Sequence, residues 1–282
     1  MSEVDSEKLL AAGISIAYAA GALIRERLPK PREVSTKANA VDLVTDTDHA
    51  VDALIRERLR ATFPAHAYLT EEAGASAAAT AAEVCWVVDP LDGTVNFAHG
   101  VPHFAVSIAA VRGFDPENMS AATAAGETLA GIVYDPMRDE MYTATSAGPA
   151  RLNQESLAVS TQTSLDQALV ATGFPYDRRE RADEYLADWH RILPLCRDLR
   201  RAGAAALDLV WVAAGRVDAY WERGLHPWDI AAGALIARRA GATATDFSGR
   251  DLFLDAQEIL VAPARVHMEL QILLREGNHQ NS

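Results

Sequence analysis

The stretch Cys85-Trp86-Val87-Val88-Asp89-Pro90-Leu91-Asp92-Gly93-Thr94-Val95-Asn96-Phe97 constrains this chain more than any other. An apolar, β-type run feeds straight into two carboxylates separated by Pro90 and Leu91. Pro90 fixes φ, and the Asp-Gly step lets the backbone turn sharply. Asp89 and Asp92 can then converge at the end of a strand, with the Leu91 carbonyl pointing the same way. Three hard oxygen donors in one tight turn suit Mg²⁺. The same letters also fit a solvated Asp-Pro-x-Asp-Gly corner. The apolar strand before the turn, and the Gly-Thr after it that can offer backbone N–H groups to an anion, favour a metal and phosphate site.

The 282 residues are 49% hydrophobic and 23% charged, enough to bury a large core in one domain or two closely packed halves. A net charge of −13 and a pI near 5.0 argue against non-specific binding to nucleic acid or anionic membranes. An acidic protein can still bind a phosphorylated substrate where bound cations reverse the local field. Two cysteines, Cys85 and Cys196, rule out a disulfide framework and read as small core residues in a reducing compartment. The apolar segment from Leu9 to Ile24 follows Glu3, Asp5 and Glu7 and ends in Arg25-Glu26-Arg27, unlike a signal sequence. It reads as too short and interrupted to span a membrane, hence a core helix of a cytoplasmic protein.

The spacing predicts helices over Ser6–Leu28 and Thr47–Thr62, the latter with Ala50, Leu54, Ile55 and Leu59 inward. A short strand at Ala67–Leu69 delivers Glu71 and Glu72, and the small-residue segment Gly74–Ala82 reads as mobile. A helix is expected to begin near Thr94. Phe104–Val111, Gly131–Asp135 and Glu140–Thr145 read as antiparallel strands, with Gly113–Glu127 a surface insertion. Beyond Asn153, strands are expected at Leu169–Thr172, Val217–Trp221, Thr243–Thr245 and Ile259–Ala262. Helices are expected at Arg181–Arg200, interrupted by Pro194, and at Ala204–Ala214, Asp229–Ala240 and Arg265–Arg275. Hairpins first and βα alternation second give a mixed α/β (α+β) fold rather than one doubly wound sheet.

Three further stretches echo the focal turn, each with an ordinary structural role as well. Thr70-Glu71-Glu72 could be a solvated edge. In Asp42-Leu43-Val44-Thr45-Asp46-Thr47-Asp48, Asp46 or Thr47 could cap a helix, and in His226-Pro227-Trp228-Asp229 the last residue could do the same. Together they resemble, in order and spacing, the motifs of the inositol monophosphatase family of Mg²⁺-dependent, lithium-sensitive sugar phosphatases. Asp89-Pro90-Leu91-Asp92-Gly93-Thr94-Val95-Asn96-Phe97, continued by Val106-Ser107-Ile108, is similar to that family's first signature. Trp228-Asp229-Ile230-Ala231-Ala232-Gly233 with Ala240-Gly241-Ala242 is similar to the second. Gly173-Phe174-Pro175-Tyr176 resembles a segment of bacterial members, and the resemblance runs from about Lys37 to Ala262.

The resemblance implies a layered αβαβα sandwich, a homodimer, and two to three Mg²⁺ ions. Its residues 1–153 would form an α+β half carrying most metal ligands. Residues 154–282 would form an α/β half carrying the last ligand and the substrate pocket. Glu71, Asp89 and the Leu91 carbonyl would bind one ion, and Asp89, Asp92 and Asp229 a second. Glu71 and Glu72 would hold a weaker third. Asp48 and Thr94 would aim the attacking water, while the N–H groups of Gly93 and Thr94 hold the phosphate. Lys37 would stand close by. Asp92, Glu222 and the backbone of Gly203 to Ala205 would meet the leaving alcohol. The implied reaction is hydrolysis of a small polyol phosphate, inositol 1-phosphate first among them. Histidinol phosphate, fructose 1,6-bisphosphate and 3′-phosphonucleotides are rivals, as is a regulatory protein with incidental activity. Ala204, Asp208 and Thr70 depart from residues common in inositol phosphatases (Thr, Asn and Gly), which bears on the alcohol pocket more than on catalysis. His103 and His226 are expected at packing or rim positions.

Overall fold

The computed structural model describes residues 5–30, 34–37, 42–76, 83–115, 126–251, 254 and 257–279. Its helices are α1 (Ser6–Arg27), α2 (Asp46–Thr62), α3 (Thr94–Ala98), α4 (Ala182–Ile192), α5 (Ala205–Ala213), α6 (Pro227–Arg239) and α7 (Ala264–His279). The first strands are β1 (Val34–Thr36), β2 (Leu43–Thr45), β3 (Ala67–Thr70), β4 (Gly74–Ala75), β5 (Val84–Asp92), β6 (Ala105–Arg112), β7 (Glu127–Asp135) and β8 (Glu140–Thr145). There follow β9 (Arg151–Leu152), β10 (Glu155–Ser156), β11 (Leu169–Thr172), β12 (Asp198–Arg200), β13 (Ala219–Arg223), β14 (Thr243–Thr245) and β15 (Glu258–Ala262).

An eight-stranded sheet runs β10-β9-β8-β7-β6-β5-β3-β4, antiparallel throughout except where β3 lies parallel to β5. A five-stranded sheet runs β12-β11-β13-β15-β14, its first three strands parallel. Helices α1 and α2 cover one face of the large sheet, α5 and α6 fill the space between the sheets, and α4 and α7 cover the small sheet's outer face. This is the expected αβαβα sandwich, and it explains the sequence texture. Strand β5 is buried over its whole length because helices pack on both its faces, so it reads as a continuous apolar run rather than an alternating one. Close approach of α6 to the large sheet depends on Gly131 in β7, where a Cβ would stand 2.8 Å from the Ala232 carbonyl oxygen.

Local expectations are corrected in several places. The stretch expected as one interrupted helix, Arg181–Arg200, ends its α-helix at Ile192. After a single turn at Leu193–Leu195, Asp198–Arg200 becomes edge strand β12 beside β11. Neither Asp46 nor Thr47 caps α2. The cap is Thr45, with Asp48 returning a bond to the Thr45 N–H at 2.8 Å. Ala50 and Leu54 are only partly buried, and Val51 joins Ile55 and Leu59 inside. Asp229 is likewise not the cap of α6. The helix starts two residues earlier, and Asp229 accepts from the His226 N–H at 2.7 Å. Helix α1 is not too short to cross a membrane: its 22 residues hold an 18-residue window of mean hydropathy 1.4, which suffices by length and composition. Its placement comes from packing, with Leu9, Ile16, Ala17, Ala20 and Ile24 buried against the large sheet. Of the segment Gly74–Ala82, the first two residues form β4, and 77–82 lie outside the described residues; so do 116–125 of the expected insertion. Cys85 is buried and Cys196 half-buried, both as free thiols.

Candidate active site

Register in the large sheet brings the first carboxylates together. Strand β3 pairs in parallel with β5, Thr70 beside Val88, and the Glu71 N–H donates to the Val88 carbonyl at 3.1 Å. Glu71 and Asp89 therefore leave neighbouring strands at the same level. Across β5 and β6, Asp89 pairs with Ser107 but Asp92 with Ala105, so three steps along β5 match two along β6. Pro90 has no N–H to give the ladder, and this bulge lets both aspartates reach one cleft. The Asp89 carboxylate accepts the Leu91 N–H at 2.9 Å. Gly93, at φ 92°, then turns the chain into α3.

The cleft is lined by Glu71, Asp89, Leu91, Asp92, Gly93 and Thr94 on one side. Gly203, Ala204, Ala205, Glu222 and Asp229 come from the other layers. Asp229 enters from the first turn of α6, and Glu222 from the end of β13. Asp92 is held by the first turn of α5, with the N–H groups of Ala205 and Ala206 donating at 3.2 and 2.8 Å. The Ala205 amide is thus engaged by Asp92 rather than turned to a ligand. Behind the turn, the Thr94 hydroxyl lies 2.9 Å from Asp48 Oδ1 and 3.1 Å from the Leu91 carbonyl. The other Asp48 oxygen accepts from Thr45 Oγ1 at 2.5 Å, so the cap of α2 also fixes the group facing Thr94.

Electrostatics mark the same cleft. Burial pushes Asp89 well above the usual carboxylate range, and Glu71, Asp92 and Asp229 push it further. Asp229 is raised likewise by burial and Glu71. Asp92 is raised to about 7 by burial, with the Ala206 N–H working against the shift. Lys37 reaches Glu71 at 2.8 Å and Glu72 at 2.5 Å. Burial disfavours its charge, but the two glutamates outweigh burial and raise its pKa. Among the described residues, no three His, Cys, Asp or Glu side chains are gathered tightly enough to hold an ion as they stand. Glu71 is turned to Lys37 instead. The donor set nevertheless fits a hard divalent cation, since it is all oxygen and its members raise one another's proton affinity for want of positive charge.

Sequence reasoning missed several residues at this site. Arg201 and Arg178 line the cleft, as does Tyr176 from the quoted Gly173–Tyr176 segment, and Asn96 ties α3 to the Ala202–Gly203 loop. Arginines in loops carry no periodic signal. Asn96 lay inside the quoted signature without a role. His226 stands on the cleft rim stacked on Trp228, centroids 4.8 Å apart. His103 is buried edge-on to Trp211, and burial lowers its pKa to about 4. Both positions agree with packing and rim roles.

A model of the inositol monophosphatase family matches residues 5–280. The chain is 40% identical over 259 residues to "Nus factor SuhB" of Escherichia coli K12, covering 92% of each protein. It is 38% identical over 268 residues to "Inositol-1-monophosphatase" of Synechocystis, covering 95% of this chain and 86% of that one. The solved inositol monophosphatase of Anabaena superposes with a TM-score of 0.82 at 34% identity, over 96% of each chain. The chain belongs to the inositol monophosphatase family of phosphatases.

Proposed function

We propose that the chain is a Mg²⁺-dependent phosphomonoesterase of small polyol phosphates, releasing inositol and phosphate from inositol 1-phosphate in preference to other esters. The observation that carries this reading is the meeting of Glu71, Asp89, Asp92 and Asp229 in one cleft beside the Asp48–Thr94 pair. Glu71, Asp89, Asp92, Asp229 and the Leu91 carbonyl would hold two to three cations, with Glu72 and Lys37 adjusting charge at the edge. Bound there, the cations would lower the pKa of water and offset charge on the phosphoryl oxygens. The protein's own part is orientation. Thr94, fixed by Asp48, accepts a hydrogen bond from the attacking water and points it in line with the scissile P–O bond. The first turn of α3, at Gly93 and Thr94, borders the phosphate position, and Glu222 with the Gly203–Ala205 segment borders the leaving alcohol.

Asp92→Asn is expected to abolish Mg²⁺-dependent phosphate release while far-UV and near-UV circular dichroism stay unchanged. Turnover retained in that variant would overturn the ligand assignment. Relative rates on inositol, histidinol, fructose and nucleotide phosphates, with lithium as an inhibitor, test the substrate. The missing hydroxyl at Ala204 makes histidinol phosphate, fructose 1,6-bisphosphate and 3′-phosphonucleotides the alternatives to weigh. A second reading, regulation through a protein partner, draws support from the 40% identity to proteins named Nus factor. Slow, equal rates on every ester would favour it. The charge of −13 speaks against direct nucleic-acid contact. A cytoplasmic homodimer of two-half subunits, 1–153 and 154–282, completes the proposal, with subunit mass in solution as its check.

A further inference from the structure

Strand β13 carries Tyr220, Trp221 and Glu222 in succession. Side chains alternate along a strand. Trp221 accordingly joins the core beneath α7, while Tyr220 belongs to the core between the sheets, and Glu222 shares its face. Glu222 reaches the cleft beside Gly203 and Ala204. Tyr220 is fully buried one step deeper, and its hydroxyl donates to Glu222 Oε2 at 2.6 Å. A phenol so placed is expensive to bury without a partner, and a carboxylate is a strong acceptor for its hydroxyl.

A second constraint comes from the end of β11. Gly173 lies directly against the Glu222 carboxylate, and a Cβ there would overlap Cδ and both oxygens. Asp208, buried on α5 with neither oxygen hydrogen-bonded among the described residues, is close enough to feel the charge of Glu222. A hydroxyl on one oxygen and a glycine alongside narrow the places where the Glu222 carboxylate can stand.

We propose that Tyr220 and Gly173 are positioning residues for recognition of the leaving alcohol. Tyr220 ties down Oε2 and Gly173 leaves room for the carboxylate, so that Oε1 is presented to one hydroxyl of the alcohol. This rests on the phosphomonoesterase reading with Glu222 on the alcohol side. It deepens that reading by making selectivity depend on a hydroxyl donor beyond the ester oxygen. A leaving group without such a hydroxyl gains nothing from the arrangement, because a desolvated acceptor left unpaired discriminates against it.

The test compares kcat and KM for inositol 1-phosphate with those for phenyl phosphate, whose leaving group has no second hydroxyl. Wild type, Tyr220→Phe, Gly173→Ala, Glu222→Gln and the Tyr220→Phe/Glu222→Gln double variant are measured with saturating Mg²⁺. The ratio of the two kcat/KM values is expected to fall about tenfold in Tyr220→Phe and in Gly173→Ala, through KM for the inositol ester. In the Glu222→Gln background, Tyr220→Phe is expected to change the ratio less than about twofold. Equal losses on both esters would indicate only structural damage and overturn the proposal, as would a ratio unchanged in both single variants. Should Tyr220→Phe fail to fold, Gly173→Ala decides alone. A wild type that hydrolyses both esters without preference overturns this inference and leaves the phosphatase reading standing. A wild type that releases phosphate from neither overturns both.

Discussion

The amide nitrogen of Asn96 lies 2.8 Å from the His103 carbonyl, 3.0 Å from that of Ala202 and 3.3 Å from that of Gly203. One side chain thus fastens the signature turn to the Ala202–Gly203 loop across the cleft. Asn96→Asp replaces a donor with an acceptor facing three carbonyls, and is expected to cost about 2 kcal/mol of stability by urea unfolding. It should also raise KM for the polyol ester. Asp208 poses the opposite case, a buried carboxyl with no hydrogen-bond partner among the described residues, held well above its usual pKa by burial and by Glu222. An acid whose folded pKa exceeds its unfolded value loses its stabilising contribution as pH rises from about 4 toward the folded pKa. Asp208→Asn should therefore gain stability on wild type as pH rises from 5 to 8. Urea midpoints at pH 5 and pH 8 check this, and a gain that shrinks with pH would refute it. Both residues show what a sequence conceals. Asp89, Asp92 and Gly93 were legible because their neighbours in the chain dictate the turn. The roles of Asn96 and Tyr220 depend on partners that only the folded chain supplies.

Elements were legible where local pattern and tertiary role agree. Glu140–Thr145, Leu169–Thr172 and Thr243–Thr245 form strands over just the expected spans. Strand β12 was not legible, because Asp198-Leu199-Arg200 is extended only by pairing with β11, and nothing local distinguishes it from a helix's last turn. The starts of α2 and α6 were misplaced for a related reason. In each, an Asp at the third helical position bonds back to the capping residue's N–H; at α6 that Asp reads as the cap itself, and at α2 the Asp46 and Thr47 before it do. Packing between β7 and α6 brings backbone against backbone at Gly131. Gly131→Ala is expected to destabilise by about 1–3 kcal/mol, since the added methyl meets backbone rather than a movable side chain. A variant as stable as wild type in thermal melts would mean that α6 can shift outward freely.

The whole molecule is a stack in which one cleft collects acidic groups from the large sheet, the middle helices and the small sheet. Asp92 and Glu222 are both raised to about 7, and Asp89 and Asp229 are raised as well. In chelator, the folded state should thus lose stability as pH rises from about 4 to about 7, because it binds protons that the unfolded chain has released. Added Mg²⁺ should reverse the loss, with Tm rising as ion concentration passes Kd. Melts across pH with and without the ion measure both effects, and a Tm indifferent to Mg²⁺ at pH 8 would count against the proposed ligands.

Asp89 and Asp92 lie in, and Glu71 directly follows, strands of a sheet that is complete by Ser156, whereas Asp229 arrives only with α6. During synthesis, a ribosome therefore releases a nearly finished acidic basin long before its last carboxylate emerges. Until then the large sheet also lacks α6, one of the two helices that cover its inner face. A chain stalled or cleaved before α6 would carry Glu71, Asp89 and Asp92 without Asp229, so the proposed ion site is completed only in the final fifth of translation.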